Sequence, residues 1–275
     1  RKDKTSMNNI KRYISGLTLF PIFAVVVIFG NKYVIDIALS IIAIMCLHEF
    51  YKAFKEKANP VGCVGYIIAA LIAIIHIIPT NLILPIIAAS IPASIMVLFV
   101  VSILSDMKVN IMDIAITFFG ICYVVLFLIF ASVIRENLTN GRILIWYVFL
   151  ASWGTDIFAY LIGRHFGKHK FTDISPNKSI EGCIGGLLGA FVMVLVYTFV
   201  CNKVWNMDFS YVYSGFIAIL LSVLSQIGDL AASSVKRYCN IKDYSNLIPG
   251  HGGMLDRVDS VIFILPFAYF LLMLL

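Results

Sequence analysis

Charge is scarce in this chain. Asp, Glu, Lys and Arg make up 13% of its 275 residues, hydrophobic residues make up 61%, and mean hydropathy is +0.96. A soluble globular domain carries about 25% charged residues, so that class is set aside. Alternation of period two is also missing, which excludes a membrane barrel. The six cysteines form no CxxC pair and most fall in apolar runs, so they read as small packing residues rather than disulfide partners or metal ligands. No internal repeat is evident, which disfavours transporter folds built from inverted halves. No small-residue cleavage site follows the first apolar run, so that run reads as a first span and not a removable signal.

Apolar runs of about 20 residues recur along the whole length, the mark of an all-α, polytopic integral membrane protein. Nine transmembrane helices are expected at about 13–30, 33–51, 62–79, 82–104, 111–134, 143–162, 183–203, 211–233 and 258–275. Together they form a single membrane domain over 1–275. The spans of 1–134 are expected to be mainly structural, and 143–275 to be the catalytic half that carries the motifs. Alternate sides of this layout hold very different numbers of Lys and Arg. One side has 17: five before the first span, three in 52–61, one in 105–110, four in 163–182 and four in 234–257. The other has Lys32, Arg135, Arg142 and Lys203. Positive loops stay inside, so the N-terminus is expected to be cytoplasmic and the C-terminus outside. The net charge of +6 therefore reads as an orientation signal and not as a nucleic-acid surface.

In the first half, Pro21, Pro79, Pro85 and Pro92 bend or break helices. His48 and Glu49 lie near the cytoplasmic end of the second span, where a snorkelling or paired interfacial role is favoured over lining a polar cavity. His76 stands in an apolar run and reads as a satisfied packing histidine. The sequon at Asn137-Leu-Thr139 carries little weight.

The second half is different. Asp156 lies within the sixth span, where an aspartate is costly unless paired, hydrated or metal-bound. The loop after it supplies Arg164, Lys168, His169, Lys170 and Lys178 with Ser175 and Ser179, residue types that donate to phosphate. Gly185 and Gly189 read as helix-packing contacts. In the eighth span Ser222, Gln226, Asp229, Ser233 and Lys236 recur at spacings of 4, 3, 4 and 3, which puts all five on one helical face. The ninth span begins with Asp256 and Asp259, again on one face. By topology, four carboxylates from three spans are expected to meet on the cytoplasmic side among lysines and arginines. Clustered carboxylates call for a hard cation such as Mg²⁺, and the adjacent bases call for an anion it bridges, such as a nucleoside triphosphate. The turn at His251, Gly252 and Gly253 adds backbone N–H groups suited to phosphate.

These residues resemble the phosphatidate cytidylyltransferases, also called CDP-diacylglycerol synthases. That family's signature reads S-x-hydrophobic-K-R, four residues, K-D, then P-x-H-G-G and D-R-hydrophobic-D. Here it is met by Ser233, Val235, Lys236, Arg237, Lys242, Asp243, Ser245, Pro249, His251, Gly252, Gly253, Asp256, Arg257, Val258 and Asp259. The segment with Asp156, Ala159 and Tyr160, and the Ser175-Pro176-x-Lys178 run, are also similar to the family. Asn177, Ser179 and Ile180 depart from the S-P-K-K-T-W-E-G form of many relatives; Ser179 keeps a hydroxyl, whereas Ile180 loses an aromatic ring.

The resemblance implies transfer of the cytidylyl group of CTP to phosphatidic acid, with Mg²⁺ as cofactor and the number of cations open. It implies Asp229 and Asp256 as metal ligands, with Asp259 nearby and Asp156 joining. Lys236, Arg237, Arg257, Lys178, Ser175, Ser179 and Ser233, with Gly252 and Gly253, become contacts to substrate phosphates. His251 then shapes the turn or binds phosphate. The expected setting is a plasma or inner membrane with the site facing the cytoplasm, and a homodimer is in keeping with the family. Two other readings stay open on the residues: a cation-coupled secondary transporter and a CTP-dependent lipid kinase of the polyprenol type.

Overall fold

The computed structural model describes residue 21, residues 23–247 and residues 252–275. The basic start from Arg1 to Arg12, most of the first expected span, Pro249 and His251 lie outside the described residues. Helical residues 23–29 are followed by α1 (Lys32–Ala53), α2 (Gly62–Ile77, its last turns in 3-10 form), α3 (Thr80–Leu104), α4 (Ile111–Asn137), α5 (Gly141–Phe166), α6 (Ile180–Val204), α7 (Tyr211–Tyr238) and α8 (Leu255–Leu272). No strand occurs among the described residues, only an isolated bridge between Lys170 and Ser179. Six of these helices (α1, α3, α4, α5, α6 and α7) are long and apolar enough to cross a membrane.

Local chemistry accounts for the boundaries. Asn31 caps α1 by accepting from the Val34 N–H at 2.9 Å. Asn110 and Asp113 form a reciprocal capping box at the start of α4. Ser179 caps α6 through the Gly182 N–H at 3.1 Å. Pro85 and Pro92 lie inside α3, and a π-turn at Ile121–Leu126 interrupts α4. Each of these irregularities stays within a continuous helical run.

The chain divides into two compact units. The first holds the residues up to Ser132 together with Tyr238–Val258. Its core is built on Leu47 and Phe50 of α1, with the Phe50 ring against Phe54, Phe119 and Tyr123. The loop after α1 is tied to α4, since Asn59 N–H donates to Asp113 and Val61 N–H to Thr117 Oγ1 at 2.7 Å. Asp36, His76 and Ser132 form a buried polar cluster in this unit. The Asp36 carboxylate meets His76 Nδ1 at 2.8 Å and accepts the Ser132 hydroxyl. The serine faces the carboxylate rather than standing beyond the imidazole, so the cluster ties helices together and lacks the order of a nucleophilic triad. His76 is thus a satisfied packing histidine.

The second unit holds Val133–Arg237 and Asp259–Leu275. Here α5 and α6 pack backbone to backbone through small residues. A Cβ at Gly189 would enter the Phe158 ring, and one at Gly185 would stand 2.5 Å from Ile162 Cδ1. Hydroxyls stitch the buried faces. Thr155 bonds Ser222 at 2.7 Å, Ser152 bonds Ser225 and Ser260 at 3.1 Å each, and Tyr147 bonds Thr198 at 2.9 Å. Outward positions such as Val192, Val196 and Phe216 are exposed and apolar. An apolar outside with polar groups paired inside is the arrangement a bilayer requires.

Candidate active site

Within the second unit, α5, the loop before α6, and α7 line a cleft of about 210 Å³. Asp156, Asn177, Lys178, Ser179, Gln226 and Asp229 supply its polar groups. The loop is held in shape by its own backbone. Phe171 N–H donates to the Lys178 carbonyl at 2.9 Å, Ile180 N–H to His169 at 3.0 Å, and Lys178 N–H to Ser175 at 3.0 Å. Glu181 closes it from α6, meeting His169 Nδ1 at 2.6 Å and accepting the Lys168 N–H at 3.2 Å. Lys178 is thereby turned into the cleft, where its ammonium is paired with the Asp229 carboxylate.

That pair is only partly withdrawn from solvent, with the two side chains 24% and 32% exposed. A half-exposed ion pair is weak as a structural tie, because water competes for both partners. It can open to let Lys178 meet an anion and Asp229 a cation. Asp156 is exposed in the same cleft, so two of the four expected carboxylates do share one site. The Ser179 cap places the N-terminus of α6 there as well, and its positive end favours anions. Ser179 Oγ also accepts from Gly182, so its hydroxyl is already part of the helix start. Gln226 donates to the Cys183 carbonyl at 3.2 Å, tying α7 to α6 at the cleft wall.

Along α7 the polar stripe faces inward as its spacing predicts. Ser222, Ser233 and Lys236 are buried, Gln226 and Asp229 half-buried. Toward the C-terminal end of the stripe Lys236 Nζ stands 3.8 Å from Asp259, both buried, and Asp259 also accepts the Ser260 N–H at 2.8 Å. Arg237 is exposed.

The first unit holds the rest of the signature. Asp256 Oδ2 accepts two backbone donors, Tyr244 N–H at 2.9 Å and Gly253 N–H at 3.0 Å. Gly252 has φ +82°, a left-handed conformation that glycine reaches without strain. The Gly253 N–H is therefore directed at Asp256 rather than presented outward. Arg257 and Lys242 are exposed, and Lys57 lies over the Tyr238 ring at 3.6 Å. Glu49, expected to be interfacial, is instead buried and bound to this segment. It accepts from Ser245 Oγ at 2.5 Å, Met254 N–H at 3.0 Å and Leu255 N–H at 2.8 Å. The only trace of this in the sequence is a carboxylate inside an apolar run, the same signal that marks Asp156.

Among the described residues no three His, Cys, Asp or Glu side chains gather into a metal-holding group by themselves. Mg²⁺ does not need three: it is commonly held by one or two carboxylates, waters and substrate phosphates. Asp156 and Asp229, with the amide oxygens of Asn177 and Gln226 in the same lining, form a hard-oxygen donor set that fits such an ion.

Comparison with known proteins gives a consistent result. The family model described as the cytidylyltransferase family matches residues 10–275. The phosphatidate cytidylyltransferase of Bacillus subtilis (strain 168) is 42% identical over 140 residues, which cover 50% of this chain and 51% of that protein. Proteins of the same name from Staphylococcus haemolyticus (strain JCSC1435) and Staphylococcus aureus (strain COL) are 38% and 39% identical over 175 and 172 residues. In both cases the match covers 62% of this chain and 64% of the relative. The chain thus spans between half and just under two-thirds of the length of these relatives. With its match running over nearly the whole length, the chain belongs to the cytidylyltransferase family.

Proposed function

We propose that this protein transfers the cytidylyl group of CTP to phosphatidic acid, giving CDP-diacylglycerol and pyrophosphate for phospholipid synthesis. The observation that carries the reading is the opposed pair of Lys178 and Asp229 in a cleft shared with Asp156. Such a site takes an anion and a cation together, as a nucleoside triphosphate with its metal demands. Family membership and the printed names of the relatives support the choice of nucleotide and lipid.

In this reaction an oxygen of the lipid phosphate attacks the α-phosphorus of CTP in line. A P–O bond forms there, the bond to the β-phosphate bridging oxygen breaks, and pyrophosphate leaves. The attacking phosphate is already anionic, so the protein's task is positioning and charge neutralisation, not strong base catalysis. Lys178 receives phosphate oxygens when its pair with Asp229 opens, and Ser175 and Ser179 belong to the loop that aims it. Lys236, Arg237, Arg257 and Ser233 supply further donors to the phosphates. For His251, Gly252 and Gly253 the assignment to the phosphates rests on the family resemblance. Asp229 and Asp156 would hold Mg²⁺, and the assignment of Asp256 and Asp259 to the ion rests on the family resemblance. When bound, the ion neutralises phosphate charge and polarises the P–O bonds.

The membrane arrangement belongs to the same proposal: nine spans, a cytoplasmic N-terminus, a plasma or inner membrane, and a site that meets CTP from the cytoplasm. A cysteine placed in the 163–182 loop is then labelled only from the cytoplasmic side; labelling from outside overturns the orientation. A homodimer in keeping with the family is tested by the mass of the purified protein in detergent.

The deciding experiment follows label from CTP. Purified protein is incubated with phosphatidic acid and a polyprenol, Mg²⁺ and CTP labelled at the α-phosphate or, separately, at the γ-phosphate. The α label is expected in lipid and the γ label in pyrophosphate. γ label in lipid would instead identify a CTP-dependent lipid kinase. Label in neither product removes both enzyme readings and returns the transporter.

A further inference from the structure

Glu49 has no part in the reaction just described, yet the signature segment is built around it. It sits near the C-terminal end of α1 and is 4% exposed, beside the fully buried Cys46, Leu47 and Phe50. A carboxylate in such surroundings is costly unless donors meet it. The donors come from residues some 200 positions away. Ser245 Oγ and Met254 N–H reach Oε1, and Leu255 N–H reaches Oε2.

Met254 and Leu255 open α8, where the first backbone N–H groups have no partner within the helix. A carboxylate at that end is favoured by the helix dipole as well as by the hydrogen bonds. Glu49 therefore caps α8 from a different helix. The neighbouring donor, Gly253 N–H, goes to Asp256, so the amides of 253, 254 and 255 are divided between two carboxylates.

Glu49 also explains a glycine of the motif. A Cβ on Gly253 would stand 2.5 Å from Glu49 Oε2 and 2.8 Å from Oε1. Any side chain there collides with the cap, independently of what the turn binds.

We propose that Glu49 is the positioning residue of the signature segment, fixing the turn and the start of α8 and with them the stance of Asp256. Its kinetic consequence rests on the cytidylyl-transfer reading above; its structural consequence does not. An amide is a poor substitute, because Gln offers one acceptor oxygen where three donors converge and turns an N–H toward another donor.

The test uses the full chain in detergent or nanodiscs, with E49Q and E49A compared to wild type by amide hydrogen exchange and by α-label transfer. In E49Q the amides of Met254 and Leu255 exchange roughly tenfold faster or more, as expected for lost hydrogen bonds to a charged group, and the Gly253 amide, held by Asp256, follows as the turn loosens, while α6 is unchanged. Turnover falls by a similar factor with KM for CTP nearly constant, the pattern of a displaced group that acts in the transition state. Unchanged exchange at 253–255, or acceleration spread evenly over the whole chain, overturns the proposal. Gly253→Ala gives a second arm: it disturbs the turn in wild type and adds no disturbance in E49A, where the collision is gone. Equal disturbance in both backgrounds also overturns it. If wild type transfers no label, the enzyme reading fails alone and the exchange arms still decide the cap. If wild type is active and the exchange arms do not respond, the cap fails alone.

Discussion

Two regions of this molecule carry buried or half-buried carboxylates, and they satisfy them in opposite ways. In the cleft of the second unit Asp229 is met by the side chain of Lys178, and both stay partly open to solvent. In the first unit Asp256 of the 238–258 segment and Glu49 of α1 accept backbone N–H groups, and Glu49 is closed off from solvent. Side-chain ion pairs at an open cleft exchange readily for ligand charges, because water and ions already compete there. Backbone donors cannot be withdrawn without moving the chain. On the proposed function the cleft is therefore the part that responds to substrate, and the turn is the part that holds still.

The largest effect expected from this contrast is at Asp229. Asp229→Asn keeps the size and removes the charge that answers Lys178 and, on the proposed function, the cation. Turnover measured by α-label transfer should fall about 100- to 1000-fold, the usual cost of one well-placed electrostatic group. Helical content and thermal unfolding should stay near wild type, since the pair is too exposed to hold the fold. A matching loss of folded protein would make the pair structural and dissolve the comparison.

Gly253→Ala comes next, because it strikes the rigid region directly. Overpacking of this kind costs about 1–3 kcal/mol, read as a lower unfolding temperature and as faster exchange near residue 253. Wild-type behaviour would show that the turn has room and is not fixed by Glu49. Gly189→Ala probes the scaffold behind the cleft. Its methyl group enters the Phe158 ring, so a destabilisation of about 1–3 kcal/mol is expected from forced separation of α5 and α6. The smallest effect belongs to the hydroxyl ladder. Ser152→Ala removes two hydrogen bonds, each worth about 0.6 kcal/mol in a membrane protein, and should shift unfolding slightly while turnover is preserved.

How much of this can be read in the sequence depends on whether the information is local. The α7 stripe is visible as a spacing, because it depends only on residues a turn apart, whereas Ser179 reads from sequence as a phosphate contact and the structure shows it as the cap of α6. The cleft is half visible. Asp156 and Asp229 stand out as charges within apolar runs and Lys178 as a base in the loop between them, but the pairing of Lys178 with Asp229 depends on a loop held by Glu181 and by its own backbone. Glu49 is the hardest case. Its partners begin at Ser245, and a contact over such a separation leaves no periodicity to detect. The glycine that accommodates it is visible, but Gly253 reads from sequence as a phosphate-binding turn residue. Its N–H is directed at Asp256, a relation that needs the fold of the turn. The Asp36 partner of His76 is hidden for the same reason, since 40 residues separate the two.

The central claim is that the Lys178–Asp229 pair is a ligand site and not a tie. Exchanging the two charges in the double variant Lys178→Asp/Asp229→Lys tests it most directly. The swap restores the mutual attraction but presents the wrong sign at each position to phosphate and cation. The account predicts a folded, membrane-inserted protein with less than about one hundredth of wild-type α-label transfer. Recovery of near wild-type transfer in the swapped protein would contradict it, showing that the two charges are needed only for each other.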